Sequence, residues 1–214
     1  MISILLPIYN GIEFIKESIP TVIYQTYKDW ELIIGINGHP KESEIYKIAK
    51  EYETKDSRIK VLDLYTIKGK SNALNEMIKH CQYNWISLID VDDKWLPKKI
   101  ESQIPYMDNY DIIGTHCHYF GDRNGQPSIP LGDLKEYDFT KVNPIINSSC
   151  LLRKSLAIWI ENGIEDYDLW LKLWKQGKQF YNVESIEVMH RIHRESAFNA
   201  KGNHLKVNDL LKKI

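Results

Sequence analysis

The chain predicts an α/β fold built on a mainly parallel, doubly wound sheet with flanking helices, and three observations lead there. Apolar runs alternate with amphipathic segments through the first hundred residues, the pattern of strands joined by helical crossovers. Three of these runs end in turn-forming or acidic residues: Ile2-Ser3-Ile4-Leu5-Leu6-Pro7-Ile8-Tyr9-Asn10, Glu31-Leu32-Ile33-Ile34-Gly35-Ile36-Asn37-Gly38 and Trp85-Ile86-Ser87-Leu88-Ile89-Asp90-Val91-Asp92-Asp93. Strands covered on both faces read as continuous apolar runs, and open sheets of this kind hold ligands beyond the strands' C-terminal ends. Pro7 to Asn10, Asn37 and the Asp cluster are therefore expected at one sheet edge.

The elements follow in order. Residues 12–27 carry Ile15, Ile19, Val22 and Ile23 near helical spacing, and Pro20 inside that pattern is expected to kink or break the helix. Residues 41–53 read as a charged amphipathic helix, 58–64 as a third strand and 72–81 as another helix. After the Asp-bearing strand comes a helix over residues 97–107, and a strand begins at 111–114. Arg123-Asn124-Gly125 is a hairpin-type turn, and Pro127, Pro130 and Gly132 make the next stretch a loop. Residues 149–153 form a short strand, 154–162 a helix stopped by Gly163, and 166–176 a second helix closed by Gly177. The tail, 205–214, reads as a short basic amphipathic helix on the surface. No repeat, low-complexity run or linker divides the chain, so one domain over residues 1–214 is expected.

Composition narrows the function classes. With 214 residues, 43% hydrophobic and 27% charged, the chain has the balance of a globular protein with a sizeable core. A formal charge of −1 gives no general electrostatic case for nucleic acid or an anionic membrane as partner. Cys81, Cys117 and Cys150 are odd in number and lack metal-ligand spacing, which argues against a disulfide framework and fits a reducing compartment; the apolar surroundings of Cys81 and Cys150 favour packed thiols there. The first apolar run lacks a preceding basic region and is too short for a secretory core, and no segment reaches the ~20 apolar residues of a membrane span. A cytoplasmic protein without a transmembrane segment is the expectation.

Asp90, Asp92 and Asp93 are the strongest chemical signal. Carboxylates gathered at a strand end repel one another, and a hard divalent cation bridging to phosphate oxygens would relieve that repulsion. The alternative is local: Asp93-Lys94, followed by Pro97, could simply cap the next helix.

Company decides between these readings. Pro7-Ile8-Tyr9-Asn10, Gln25-Thr26-Tyr27, Gly69-Lys70-Ser71-Asn72-Ala73-Leu74-Asn75, Asp90-Val91-Asp92-Asp93, Asn143-Pro144-Ile145-Ile146-Asn147-Ser148-Ser149, Glu165-Asp166-Tyr167-Asp168-Leu169-Trp170 and Arg191-Ile192-His193-Arg194-Glu195-Ser196 occur in one order. Together they resemble family-two glycosyltransferases of the GT-A fold, over nearly the whole chain to about residue 196. The resemblance implies a nucleotide-sugar-binding half over residues 1–95, an acceptor-side half over 96–200 and a helical tail over 201–214. It also implies transfer of a hexosyl or N-acetylhexosaminyl unit, with inversion, from a UDP-sugar to a hydroxyl of a glycan, lipid-linked or protein acceptor, aided by Mn²⁺ or Mg²⁺.

Site residues follow by the same resemblance. Pro7, Tyr9 and Asn37 fall where the family holds the nucleobase; Tyr9 could stack on a base, or pack in the core. Asn37 departs from the family, which commonly has Asp within an Asp-Asp-Gly-Ser type turn where this chain reads Ile36-Asn37-Gly38-His39. An Asn carbonyl can still accept the uracil N3 proton, although Asn37-Gly38 could also be only a positive-φ turn. Lys70 at a helix start suits phosphate, or is merely solvated. Asp90 and Asp92 match the D-x-D element, with Asp92 as metal ligand and Asp90 on the ribose or a metal-bound water, while Asp93 orients or caps. Arg191 would neutralise phosphate and His193 would ligate metal or contact phosphate. Asp166 is the candidate general base, with helix capping as its bland alternative, and Glu165 would hold the acceptor. His190, His116 and His118 have weaker claims. Rival readings are an inactive nucleotide-sugar-binding homologue and a nucleotidyltransferase, the latter disfavoured by the absence of a Gly-rich phosphate loop after the first strand.

Overall fold

The computed structural model describes residues 1–162, 164–194 and 203–212. Its centre is a parallel block: β1 (Ile2–Ile8) lies between β2 (Trp30–Asn37) and β4 (Trp85–Leu88), and β3 (Ile59–Leu64) flanks β2. Beyond β4 the sheet continues through β8 (Leu151–Arg153), β6 (Ile112–Gly121), β9 (Phe180–Ile192) and β5 (Lys94–Trp95), while β7 (Gly132–Asp133) also pairs with β9. The long pairings, β1 with β2, β2 with β3 and β6 with β9, are parallel, and the antiparallel ones span only two or three residues each. The expected mainly parallel, doubly wound sheet is what forms.

Alternation of side chains explains the continuous apolar reading of β1 and β2. Ile4, Leu6 and Ile8 enter one core, against α1 (Ile15–Ile23), and Leu5 and Ile33 enter the other, against α3 (Lys70–Ile78) and α5 (Glu165–Lys175). Gly35 lets α3 approach closely, since a Cβ there would lie 2.5 Å from Met77 Sδ. The first core also takes Ala49 of α2 (Glu44–Lys50) and Ile100 of α4 (Lys99–Gln103). Val207, Leu210 and Leu211 of α6 (Asn203–Leu211) pack against the second.

Two buried polar side chains brace the turn below the site. Gln25 donates through Nε2 to the carbonyls of Thr21 (3.0 Å) and Leu96 (2.7 Å) and accepts from the Ile100 amide (3.1 Å), tying the end of α1 to the entry of α4. Lys99 is fully buried, donating to Ser87 Oγ (2.5 Å) and the Cys150 carbonyl (3.3 Å), with its ammonium 4.0 Å from the Trp95 ring centroid. Burial lowers its pKa to about 7.

Several boundaries depart from expectation. Pro20 does not end α1, which runs through it; Lys16, whose carbonyl loses a partner there, lies on the exposed face where water can take it. The expected helix over 41–53 starts only after Ser43, which accepts from the Tyr46 amide as an N-cap, and tightens into a 3-10 turn, Glu51–Thr54. The one over 97–107 shortens likewise to α4 and a 3-10 turn, Ile104–Tyr106. The expected helix over 154–162 does not form beyond the 3-10 turn Lys154–Leu156. Its backbone is claimed from outside: Asn75 donates to the Trp159 carbonyl (2.8 Å) and accepts from the Trp159 amide (3.0 Å). Gly163, Glu195, Ser196 and residues 213–214 lie outside the described residues.

Candidate active site

The C-terminal edge of the parallel block opens into a cleft of about 280 Å³. Seven residues singled out in the sequence line it, namely Pro7, Tyr9, Asn37, Lys70, Asp90, Asp92 and Arg191, joined by Asn10, Val91 and His190. Convergence follows from topology, because β1, β2 and β4 run parallel and end at the same edge.

On the β1–β2 side, Tyr9 is 56% exposed, which removes the core-packing alternative. Its ring stacks on His39 with centroids 5.3 Å apart, and it lies against Gly38, where a Cβ would sit 2.7 Å from the ring. Gly38 has φ +76°, so the glycine serves both the turn and the close approach. Asn37 is the last residue of β2 and only 2% exposed; its amide reaches the Gly69 carbonyl at 3.4 Å.

The acidic loop is held by a network. Lys70 Nζ meets Asp90 Oδ1 at 2.6 Å, while Asp90 Oδ2 accepts from Asn147 (3.0 Å) and the Asp90 amide donates to Ser148 Oγ (3.0 Å). Burial works against the Asp90 charge, but Lys70 and Asn147 outweigh it and hold the carboxyl below the usual range. Burial opposes the Lys70 charge as well, yet Asp90, Glu165 and Asp166 together raise its pKa. Lys70 is thus the cation shared by the acidic loop and the start of α5.

Asp93 is a buried anchor: it accepts from Ser148 Oγ (2.5 Å), His190 Nδ1 (2.9 Å) and the Arg191 amide (2.7 Å). The orienting alternative suggested for it is the one observed. Asp92 is left nearer the cleft, with Oδ2 3.0 Å from His193 Nε2. Burial, then the charges of Asp93 and Asp90, raise its pKa. Among the described residues no three His, Cys, Asp or Glu side chains form a metal cage. Asp92 and His193, in contact at 3.0 Å, are the carboxylate and imidazole at this point that could serve as ligands to a divalent ion.

Arg191 is engaged more than the sequence suggested. Its guanidinium pairs with Glu17 (2.7 Å), donates to the Asp92 carbonyl (2.9 Å) and lies over the rings of Phe14 and Phe120, 4.5 and 4.4 Å from their centroids. Glu17 also holds Lys94 at 2.6 Å. No sequence motif pointed to Glu17, because its partners lie far along the chain.

Glu165 and Asp166 open α5 and do not line the cleft itself. Asn143 donates to Asp166 Oδ2 at 3.0 Å, and no side chain caps the helix at Ile164, so Asp166 is held from outside the helix rather than spent as a cap. Burial raises the Glu165 pKa. His116 and His118 do not make a metal pair: His116 Nδ1 accepts from the Cys117 amide (2.9 Å), and His118 faces Asn124 (2.6 Å). Asn143, Asn147 and Ser148 belong to the Asn143-to-Ser149 motif, which marked a resemblance without revealing that they orient the carboxylates.

Sequence comparison gives the class. The family described as Glycosyl transferase family 2 matches residues 3–157, and the chain belongs to it. It is a glycosyltransferase of GT-A fold, similar in particular to the O-antigen biosynthesis glycosyltransferase WbnJ of Escherichia coli, with 32% identity over 92% of this chain and 81% of WbnJ. The UDP-Glc:alpha-D-GlcNAc-diphosphoundecaprenol beta-1,3-glucosyltransferase WfaP of Escherichia coli is 25% identical over 100% of this chain and 86% of its own length. Among solved structures, S. aureus TarS 1-349 in complex with UDP-GlcNAc superposes with a TM-score of 0.80 at 14% identity, covering 99% of this chain and 64% of that one. Mannosyltransferase PcManGT from Pyrobaculum calidifontis, in complex with GDP-Man and Mn²⁺, gives 0.71 at 10% identity over 92% of this chain and 58% of that one. The chain thus spans less than two thirds of each of these structural neighbours. Among the described residues no helix is long and apolar enough to cross a membrane.

Proposed function

We propose that the protein transfers a sugar from a UDP-sugar to an acceptor hydroxyl with inversion, using Mn²⁺ or Mg²⁺. The observation that carries this reading is the cleft, where an exposed aromatic, a buried amide, a lysine and two carboxylates meet at one sheet edge. Tyr9 stacks on the base, Asn37 accepts the uracil N3 proton, and Pro7 shapes the wall between them. Asp92 and His193 would hold the metal, which when bound would supply neutralisation of the charge on the leaving diphosphate. Asp90 would contact the ribose or a water held by that metal. Lys70 and Arg191 face the phosphates, and Lys70 exchanges part of its contact with Asp90 for a donor oxygen.

Asp166, oriented by Asn143, takes the proton of the attacking hydroxyl, and Glu165 helps hold the acceptor. Attack opposite the leaving group inverts the anomeric centre. In this reading residues 1–95 form the donor half, 96–200 the acceptor half and 201–214 a helical tail of one domain. The acceptor is a glycan, lipid-linked or protein hydroxyl, and the three free buried cysteines favour a cytoplasmic setting. Support for a nucleotide-sugar donor comes from UDP-GlcNAc and GDP-Man in the neighbouring structures.

Titration calorimetry with UDP, CDP and GDP, in Mn²⁺ and in chelator, tests the donor assignment. UDP binding that requires the metal is the expected result. Preference for GDP, or metal-independent binding, would overturn the uracil or metal assignment respectively.

A further inference from the structure

His190 lines the cleft beside Lys70 and Arg191, on β9, and no motif assigns it a role. Its side chain is 22% exposed. Nδ1 donates to Asp93, itself buried and fixed by two further donors, so the ring orientation is set from behind. Nε2 has no hydrogen-bond partner among the described residues. A half-buried imidazole oriented from behind, with one nitrogen unspent, offers that nitrogen to a ligand in the cleft.

We propose that His190 is a further donor-binding residue, whose Nε2–H contacts an anionic oxygen of the nucleoside diphosphate. The proposal rests on the donor-site reading above. Burial disfavours the imidazolium, but Asp93, Asp90 and Asp92 outweigh it and raise the pKa to about 9, so Nε2 carries a proton at neutral pH. A histidine backed by a carboxylate is also the usual arrangement of a metal ligand. Its place in the cleft beside the cations Lys70 and Arg191 points instead to phosphate. The contact would add a third cation to Lys70 and Arg191, both of which already spend part of their charge on Asp90 and Glu17.

The test uses His190→Asn, whose amide can keep the bond to Asp93 while removing Nε2, and His190→Gln, which restores a neutral donor near the Nε2 position. Binding of uridine, UDP and Mn²⁺ alone is measured by calorimetry, with thermal melting as the fold control. His190→Asn should lose about 10- to 100-fold in UDP affinity, the scale of a charge-assisted hydrogen bond, while uridine affinity holds and His190→Gln recovers part of the loss. Unchanged UDP affinity in a folded His190→Asn protein overturns the proposal, as does an equal loss for uridine. Weakened binding of Mn²⁺ alone would make His190 a metal ligand instead. Wild-type protein that binds no nucleoside diphosphate overturns the donor-site reading itself, a distinct result.

Discussion

Lys70 and Asp90 form an ion pair at 2.6 Å in the lining of the cleft, joining the start of α3 to the loop that follows β4. Lys70 also senses the start of α5, where Glu165 and Asp166 help to raise its pKa. The pair is partly exposed, so it adds little to stability by itself. Its consequence is organisational: the carboxylates of the acidic loop and of the start of α5 share one lysine, for which, in the proposed function, the diphosphate competes.

Removing Asp92 should abolish metal-dependent donor binding. Asp92→Ala leaves Asp93 as the buried anchor, so the fold should survive while UDP affinity in Mn²⁺ falls to its value in chelator. Calorimetry with and without Mn²⁺ checks this, and wild-type affinity in the variant would show that the ion is held elsewhere.

Asp166→Asn should keep nucleotide affinity and lower turnover by roughly 100- to 10,000-fold, the contribution of a positioned general base. The amide can still meet Asn143 but cannot take a proton at neutral pH. Steady-state kinetics decides: full activity would make Asp166 a structural residue.

Asn37→Asp should sharpen discrimination for UDP over CDP. A neutral amide can present either a donor or an acceptor to the base, whereas a carboxylate accepts from uracil N3 and opposes the unprotonated N3 of cytosine. With Asn37 only 2% exposed, the change in selectivity should reach about 1–3 kcal/mol. An unchanged UDP-to-CDP affinity ratio would show that Asn37 does not touch the base.

Lys99→Met should stabilise the protein most at pH 7 and below. Folding lowers the Lys99 pKa to about 7 from 10.5, so between these values the unfolded chain binds more protons and stability from this residue rises with pH. Below pH 7 that contribution is fully lost. The advantage of Lys99→Met over wild type in denaturant midpoint should therefore shrink as pH increases from 7 towards 10; an advantage that grows would reverse the sign.

The sheet and the donor side were legible because parallel β strands buried on both faces announce themselves as apolar runs, and turn residues mark where they end. Ile2–Ile8, Trp30–Asn37 and Trp85–Leu88 fall where the runs place them. Asp93 was readable only as part of a cluster, since its anchoring role depends on Ser148 and His190, residues 55 and 97 positions away. The expectation for residues 154–162 failed for a related reason: local helical pattern loses to Asn75, which claims both polar groups of Trp159 from another helix. Arg191 was recognised by its motif, but its neutralisation by Glu17 is a contact across 174 positions that no local pattern encodes.

The central claim is a bond broken between the sugar and a nucleoside diphosphate. Phosphorus NMR of UDP-GlcNAc and UDP-Glc incubated with the protein and Mn²⁺ follows that bond directly, since slow transfer to water substitutes for the unknown acceptor. Release of UDP, lost in Asp92→Ala and strongly reduced in Asp166→Asn, is the predicted result. Release of pyrophosphate or UMP, or UDP release untouched by either substitution, would contradict it.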